Sequence, residues 1–191
     1  MNRRIIVAVT GASGAPYAGL LFRELDRFKE GLDEVAVLFS STAMKIWKDE
    51  ITKPFVPEAP FRIYPNDDFS APFASGSSRF DTLIICPCSM GMLGRIAAGT
   101  STDLIARASD VMLKERRRLI LVTRETPLNL IHIENMRTVT LAGGIICPAS
   151  PAFYFKPQTL QEALLTVVHR IIGLAGFPAL HPSWGENKKG D

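Results

Sequence analysis

The chain has 191 residues, 47% of them hydrophobic, enough for a core that needs no disulfide or metal to fold. Its net charge of +3 sits in short clusters such as Lys114 to Arg118 and Lys188-Lys189, without the aromatic-interleaved basic stripe that a nucleic-acid partner would require. No segment reaches membrane-spanning length, Met1 to Arg4 lead into a strand without a signal-peptide core, and the three cysteines read as reduced thiols, which together predict a cytoplasmic protein.

The run Ile5-Ile6-Val7-Ala8-Val9 predicts a buried strand that enters the turn Thr10-Gly11-Ala12-Ser13-Gly14, and the spacing of Tyr17, Leu20, Leu21 and Leu25 then predicts a helix. Strand, tight turn and helix together aim backbone N–H groups and a positive dipole end at an anion. No Lys-Ser/Thr pair follows Gly14, so the turn is not a P-loop, and it lacks the full G-x-G-x-x-G fingerprint. Ser13 can cap the helix or bond a ligand, and a glycine is expected at a positive φ. On these residues alone the turn is either a ligand cradle or a plain connection.

Val35 to Phe39 predict a second strand ending at Ser40-Ser41-Thr42, which can cap a helix around Ala43 to Trp47. Hydroxyls stand where a dinucleotide-binding fold places an acidic residue, so a mononucleotide such as FMN fits better than NAD. Pro54 to Phe73 read as a long excursion at the sheet edge with a short extended piece at Phe61 to Tyr64, and Ala74 to Ser78 as a flexible loop of small residues. Thr82 to Cys86 predict a strand turning through Pro87 to Gly91 into a helix carrying Leu93 and Ile96, a second small-residue turn on the same sheet edge as Gly11 to Gly14. Cys86-Pro87-Cys88 has the wrong spacing for a redox or zinc pair.

Asp103 to Arg117 predict an amphipathic helix with Leu104, Ala108, Val111 and Met112 inward and Arg107 and Lys114 two turns apart on one side. Such cations can clamp a phosphate, although a solvated basic face is what charge runs usually mean. Leu119 to Thr123 predict a strand delivering Arg124-Glu125 at its carboxyl end. Asn129 to Leu141 read as a helix and Gly144 to Cys147 as the last strand. Pro148 to Pro157 form an aromatic loop, and Thr159 to Leu174 a closing helix with Arg170 on its polar edge. The alternation predicts a three-layer α/β/α, Rossmann-like domain with a parallel sheet, spanning 1–191 with 177–191 as a C-terminal tail.

Gly11-Ala-Ser-Gly14, Cys86-Pro-Cys-Ser89, the run Asp103 to Arg117, Arg124-Glu-Thr-Pro127 and Pro151-Ala-Phe-Tyr154 together resemble the UbiX family of flavin prenyltransferases, in order and over nearly the whole chain. The resemblance implies alkylation of reduced FMN by dimethylallyl monophosphate at N5 with ring closure at C6, giving prenylated FMN, the cofactor of UbiD-type decarboxylases. It implies that Gly11, Ala12, Ser13, Ser40, Ser89, Met90, Gly91, Met92 and Arg124 hold FMN, with Ser13 near the reacting edge. Arg107, Lys114, Tyr154 and Arg170 would hold the prenyl phosphate, Glu50 and Glu125 would sit near the reacting groups, and Trp184 would wall the site. It also implies a homododecamer built from trimers, with sites shared between chains. Asp67-Asp68 stands alone, without the aspartate-rich magnesium motif of ordinary prenyltransferases, which fits a monophosphate donor and no metal. Two other readings are an FMN-dependent decarboxylase of the cysteine-decarboxylase type and a non-catalytic FMN carrier subunit. The first needs an active-site histidine in the first half of the chain, whereas the histidines here are His132, His169 and His181.

Overall fold

A computed structural model describes residues 2–51 and 53–180. Strands β1 (Arg3–Val9), β2 (Leu32–Phe39), β3 (Phe61–Tyr64), β4 (Phe80–Cys88), β5 (Arg118–Thr123) and β6 (Ile145–Ile146) form one sheet in the order β3-β2-β1-β4-β5-β6. Every pairing is parallel. Helices α1 (Ala15–Asp26), α2 (Ser41–Glu50), α3 (Met90–Ala97), α4 (Leu104–Lys114), α5 (Leu130–Leu141) and α6 (Leu160–Leu174) cover both faces. Burial on both faces is why the central strands read as continuous apolar runs. Their side chains alternate between two cores: Ile5, Val7 and Val9 pack with Leu21 and Leu25 of α1 and Val168 and Ile171 of α6, while Ile6 and Ala8 pack with Leu93 of α3 and Leu104 and Met112 of α4.

Several boundaries shift from the sequence reading, each for a local reason. β4 begins at Phe80 and runs to Cys88, because Phe80 pairs with Arg4 and Cys88 with Thr123 across its neighbours. β6 shrinks to Ile145–Ile146, although Cys147 N and Ala149 N still donate to Leu121 O and Thr123 O at 2.9 Å each. α4 ends at Lys114 and excludes Arg117, since Arg116 takes φ 56°. Arg117 instead turns back and donates to Gly76 O at 2.6 Å and Phe80 O at 3.2 Å. With Arg107 Nε donating to Ala74 O at 3.0 Å, this ties down a loop that composition alone suggests is flexible.

The start of α4 shows how helix ends are satisfied here. Asp103 Oδ1 accepts from Ala106 N at 2.8 Å, and Asn66 accepts from Leu104 N through its carbonyl at 2.8 Å and from Ile105 N through its side chain at 3.1 Å. The excursion after β3 thus supplies part of the cap that the helix itself lacks.

Candidate functional site

β1 and β4 are adjacent in space and lead to helices on opposite faces, so the crevice at their carboxyl ends is the topological switch point where open α/β sheets place ligands. Three turns meet there. Ser40 caps α2 by accepting from Ala43 N at 3.1 Å, Ser89 caps α3 by accepting from Met92 N at 3.3 Å, and Gly14 leads into α1 with φ 124°, the positive-φ glycine expected. Gly11 has to be glycine for space: an added Cβ would lie 2.8 Å from Thr42 Cβ and Cγ2.

Thr10 stitches two of these turns. Its hydroxyl donates to Pro87 O at 2.8 Å and accepts from Ser89 N at 2.8 Å, and its own amide donates to Pro87 O at 3.2 Å. The result is a polar cleft of about 330 Å³ whose walls include Thr10, Gly11, Ser40, Ser41, Thr42, Ser89, Gly91 and Met92. Arg95 lies on the same wall, paired with Asp103 at 2.5 Å and donating to Thr102 Oγ1 at 3.2 Å. Hydroxyls, two helix N-termini and a cation in a cleft of this size fit the ribityl and phosphate parts of a mononucleotide.

A second group lies beside the cleft. Ser13 does not cap α1 as its position suggests. Glu50, from the last turn of α2, accepts from Gly14 N at 2.9 Å and Ala15 N at 2.8 Å and also bonds the Ser13 side chain. Burial works to raise the Glu50 pKa, but these hydrogen bonds and the Arg124 charge win and hold it below the usual carboxylate range. Arg124 also faces Tyr17, whose phenol is pushed up by burial and by Cys86 against the Arg124 charge, and whose hydroxyl donates to Ala149 O at 3.4 Å. Arg124 and Glu125 open onto a cavity of about 270 Å³ shared with Pro148, Ala149 and Ser150.

The structure therefore brings together Gly11, Ser40, Ser89, Gly91 and Met92 at the cleft and Ser13, Glu50 and Arg124 beside it. Ala12 lies in the turn, its amide donating to Thr10 O at 2.9 Å. Met90 turns its side chain into the α3 core and leaves only backbone for a ligand. Arg107, Lys114, Tyr154 and Arg170 do not line the cleft. Arg107 spends its guanidinium on Ala74 O and on Asp110, 2.8 Å away. Lys114 pairs with Glu115 beside Gly76, at the amino end of β4. Helix α4 rises about 1.5 Å per residue, so Lys114 stands on the order of 17 Å along it from Asp103 at the cleft. Tyr154 is exposed in the 3-10 turn Phe153–Phe155 against the Phe155 ring. Arg170 is exposed on α6, close enough to Cys147 to oppose the rise that burial gives that thiol. Trp184 falls outside the described residues.

Thr10, Thr42, Arg95, Asp103 and Asn66 line the cleft without having been singled out from sequence. Asp103 before an apolar-periodic run carried a readable capping signal; Asn66, in the proline-rich excursion, carried none. Asn66 also borders an apolar cavity of about 310 Å³ walled by Phe39, Met44, Trp47, Phe55 and Tyr64.

The sequence profile of the flavoprotein family matches residues 1–169. The flavin prenyltransferase UbiX of Methanocaldococcus jannaschii is 42% identical over 186 residues, covering 95% of this chain and 98% of that one. The chain belongs to the UbiX flavin prenyltransferases. A UbiX crystal structure containing FMN and dimethylallyl pyrophosphate superposes with a TM-score of 0.86 at 38% identity, covering 96% of this chain and all of that one. A dodecameric FMN-dependent UbiX-like decarboxylase from Escherichia coli O157:H7 does so with 0.85 at 36% identity, covering 94% and 98%. Among the described residues no cluster of metal-ligating side chains occurs, and no helix is long and apolar enough to cross a membrane.

Proposed function

We propose that this chain joins the dimethylallyl group of dimethylallyl monophosphate to N5 and C6 of reduced FMN, producing prenylated FMN for a UbiD-type decarboxylase. The observation that carries the reading is the polar cleft at the β1/β4 switch point, in a chain 42% identical to a flavin prenyltransferase UbiX. Reduced FMN supplies the nucleophilic ring positions when bound. Gly11, Ala12, Ser13, Ser40 and the Ser89 to Met92 turn bind and orient it with backbone amides and hydroxyls, and Arg124 closes the edge beside Ser13. Arg107, Lys114, Arg170 and the Tyr154 hydroxyl hold the donor phosphate and stabilise its charge as the C–O bond breaks. Glu50 orients the Ser13 turn, and the Glu125 carboxylate accepts the proton released from C6. The Phe153-Tyr154-Phe155 loop and Trp184 exclude water and offer π-faces to the developing allyl cation.

Arg107, Lys114, Tyr154 and Arg170 are not part of the cleft lining in one chain, and the reading includes a site completed by a neighbouring copy. Exposed apolar residues on α5, Leu130, Ile131 and Leu141 (70%, 69% and 72% exposed), support assembly, and a trimer-based dodecamer is the proposed form. The buried free thiols Cys86, Cys88 and Cys147 support a cytoplasmic setting.

The test is anaerobic incubation of the metal-free protein with reduced FMN and dimethylallyl monophosphate, followed by mass measurement of the extracted flavin. A gain of one five-carbon unit is expected. Unchanged FMN with both ligands bound would contradict the reading for this donor, and a gain seen only with the diphosphate would correct the donor. A carrier subunit would bind FMN and leave it unchanged with either.

A further inference from the structure

In the switch-point cleft, Thr10 is almost fully buried, 2% exposed, yet it carries a hydroxyl where an aliphatic side chain would fill the same space. That hydroxyl is placed as both donor and acceptor. It donates to Pro87 O at 2.8 Å, two residues past Ile85, the last β4 residue paired with β1, and accepts from Ser89 N at 2.8 Å, so Thr10 holds both ends of a two-residue step from the end of β4 into α3. Ser89 is in turn the residue whose side chain caps α3 through Met92 N, and its carbonyl accepts from Leu93 N at 3.0 Å. The α3 N-terminus is therefore tied to the residue that follows β1, through the Thr10 hydroxyl at Ser89 N and through its hydroxyl and amide at Pro87 O. On the other side, Thr10 O accepts from Ala12 N at 2.9 Å and shapes the Gly11 turn.

We propose that Thr10 is a positioning residue for the flavin: its hydroxyl fixes the spacing between the Gly11 to Gly14 turn and the Ser89 to Met92 turn, so that the two present their amides to one ligand at once. The inference rests on the FMN-binding reading of the cleft. Thr10 acts through Ser89 and needs no contact with the reacting atoms.

Replacing the hydroxyl by a methyl in Thr10→Val keeps the shape and leaves Ser89 N–H facing carbon, while Pro87 O retains the Thr10 amide. The Ser89 amide then turns toward water in the cleft and carries the start of α3 with it. Thr10→Ser restores the hydroxyl without the methyl.

The experiment measures FMN affinity by fluorescence, the KM for dimethylallyl monophosphate at saturating flavin, and hydrogen exchange at the Ser89 amide of the flavin-free protein, each for wild type, Thr10→Val and Thr10→Ser. The inference expects slow Ser89 exchange in wild type and Thr10→Ser and fast exchange in Thr10→Val. It expects FMN affinity about tenfold weaker in Thr10→Val and near wild type in Thr10→Ser, with the donor KM unchanged. Equal FMN affinity in wild type and Thr10→Val would overturn it. So would equal loss in Thr10→Ser and Thr10→Val, or a donor KM that rises in step with the flavin Kd, since either marks general loosening. Should Thr10→Val not fold, the Ser89 exchange rate in wild type decides, and rapid exchange there overturns the inference. A wild type that takes up no FMN overturns the functional reading itself; a wild type that binds FMN with no penalty in Thr10→Val overturns only the role of Thr10.

Discussion

The cleft between β1 and β4 and the cationic helix α4 hold their polar groups in opposite ways. At the cleft, caps, backbone amides and the Thr10 hydroxyl are locked by short contacts between turns that the parallel sheet forces together. On α4, Arg107 and Lys114 are part-exposed and rest on Asp110 and Glu115, acidic neighbours on their own segment. In the proposed site, the half built from turns at a switch point is brought together by the sheet order of one chain. The half built from long cationic side chains in that proposed site rests on local counter-ions, to be released where an anion and a neighbouring chain compete for them.

Removal of the Lys114 charge should separate the two regions most clearly. Lys114→Ala should lower prenyl transfer by two to three orders of magnitude, the usual cost of removing one charge that stabilises a leaving anion. FMN affinity should stay at the wild-type value and stability should move by no more than about 0.5 kcal/mol, as for an exposed residue. Calorimetry with FMN and a single-turnover assay check both halves of that statement.

Gly11→Ala attacks the other region. Its new Cβ would meet Thr42 at 2.8 Å, and the overpacking should cost about 1–3 kcal/mol, divided between stability and flavin affinity. The thermal melt should recover in part on adding FMN if the cleft is where flavin binds.

Glu50→Gln is a smaller change that sharpens the boundary between the regions. It removes the charge at the α1 N-terminus but keeps an acceptor, at a cost of about 1 kcal/mol near neutral pH. Because the folded pKa is depressed, the contribution of Glu50 is present above the ordinary carboxylate value near 4 and is lost as pH falls through the lower folded value. The acid limb of stability against pH should therefore be shallower in Glu50→Gln than in wild type, by chemical denaturation at several pH values. Glu24, held low by Arg27 and its neighbours against burial, retains its own share of that limb.

The cleft was largely legible because its signals are local: glycine where the backbone turns, serine before each helix, small residues at strand ends. Its long-range members were not. Thr10 matters through Pro87 and Ser89, and Asn66 through the α4 start, contacts separated by many residues in the chain. Glu50 entered only through the family resemblance, and its hold on the α1 N-terminus depends on how α2 packs and left no pattern in sequence. Of the proposed donor set, Arg107 and Lys114 fall on one helix as their spacing predicts, yet the end of the sheet at which Lys114 stands follows from helix direction and from the Gly76 loop, which periodicity does not report.

In the proposed assembly, the flavin half and the donor half of one site come from different copies of the chain. Co-assembling Gly11→Ala, defective in flavin binding, with Lys114→Ala, defective in donor binding, tests it through the rate of flavin mass gain. Random mixing in equal amounts should leave about a quarter of the sites with both halves intact, so activity should rise well above that of either variant alone. Activity in the mixture no greater than the sum of the two separate variants would contradict the claim and place Lys114 in the same chain's site or outside the site altogether.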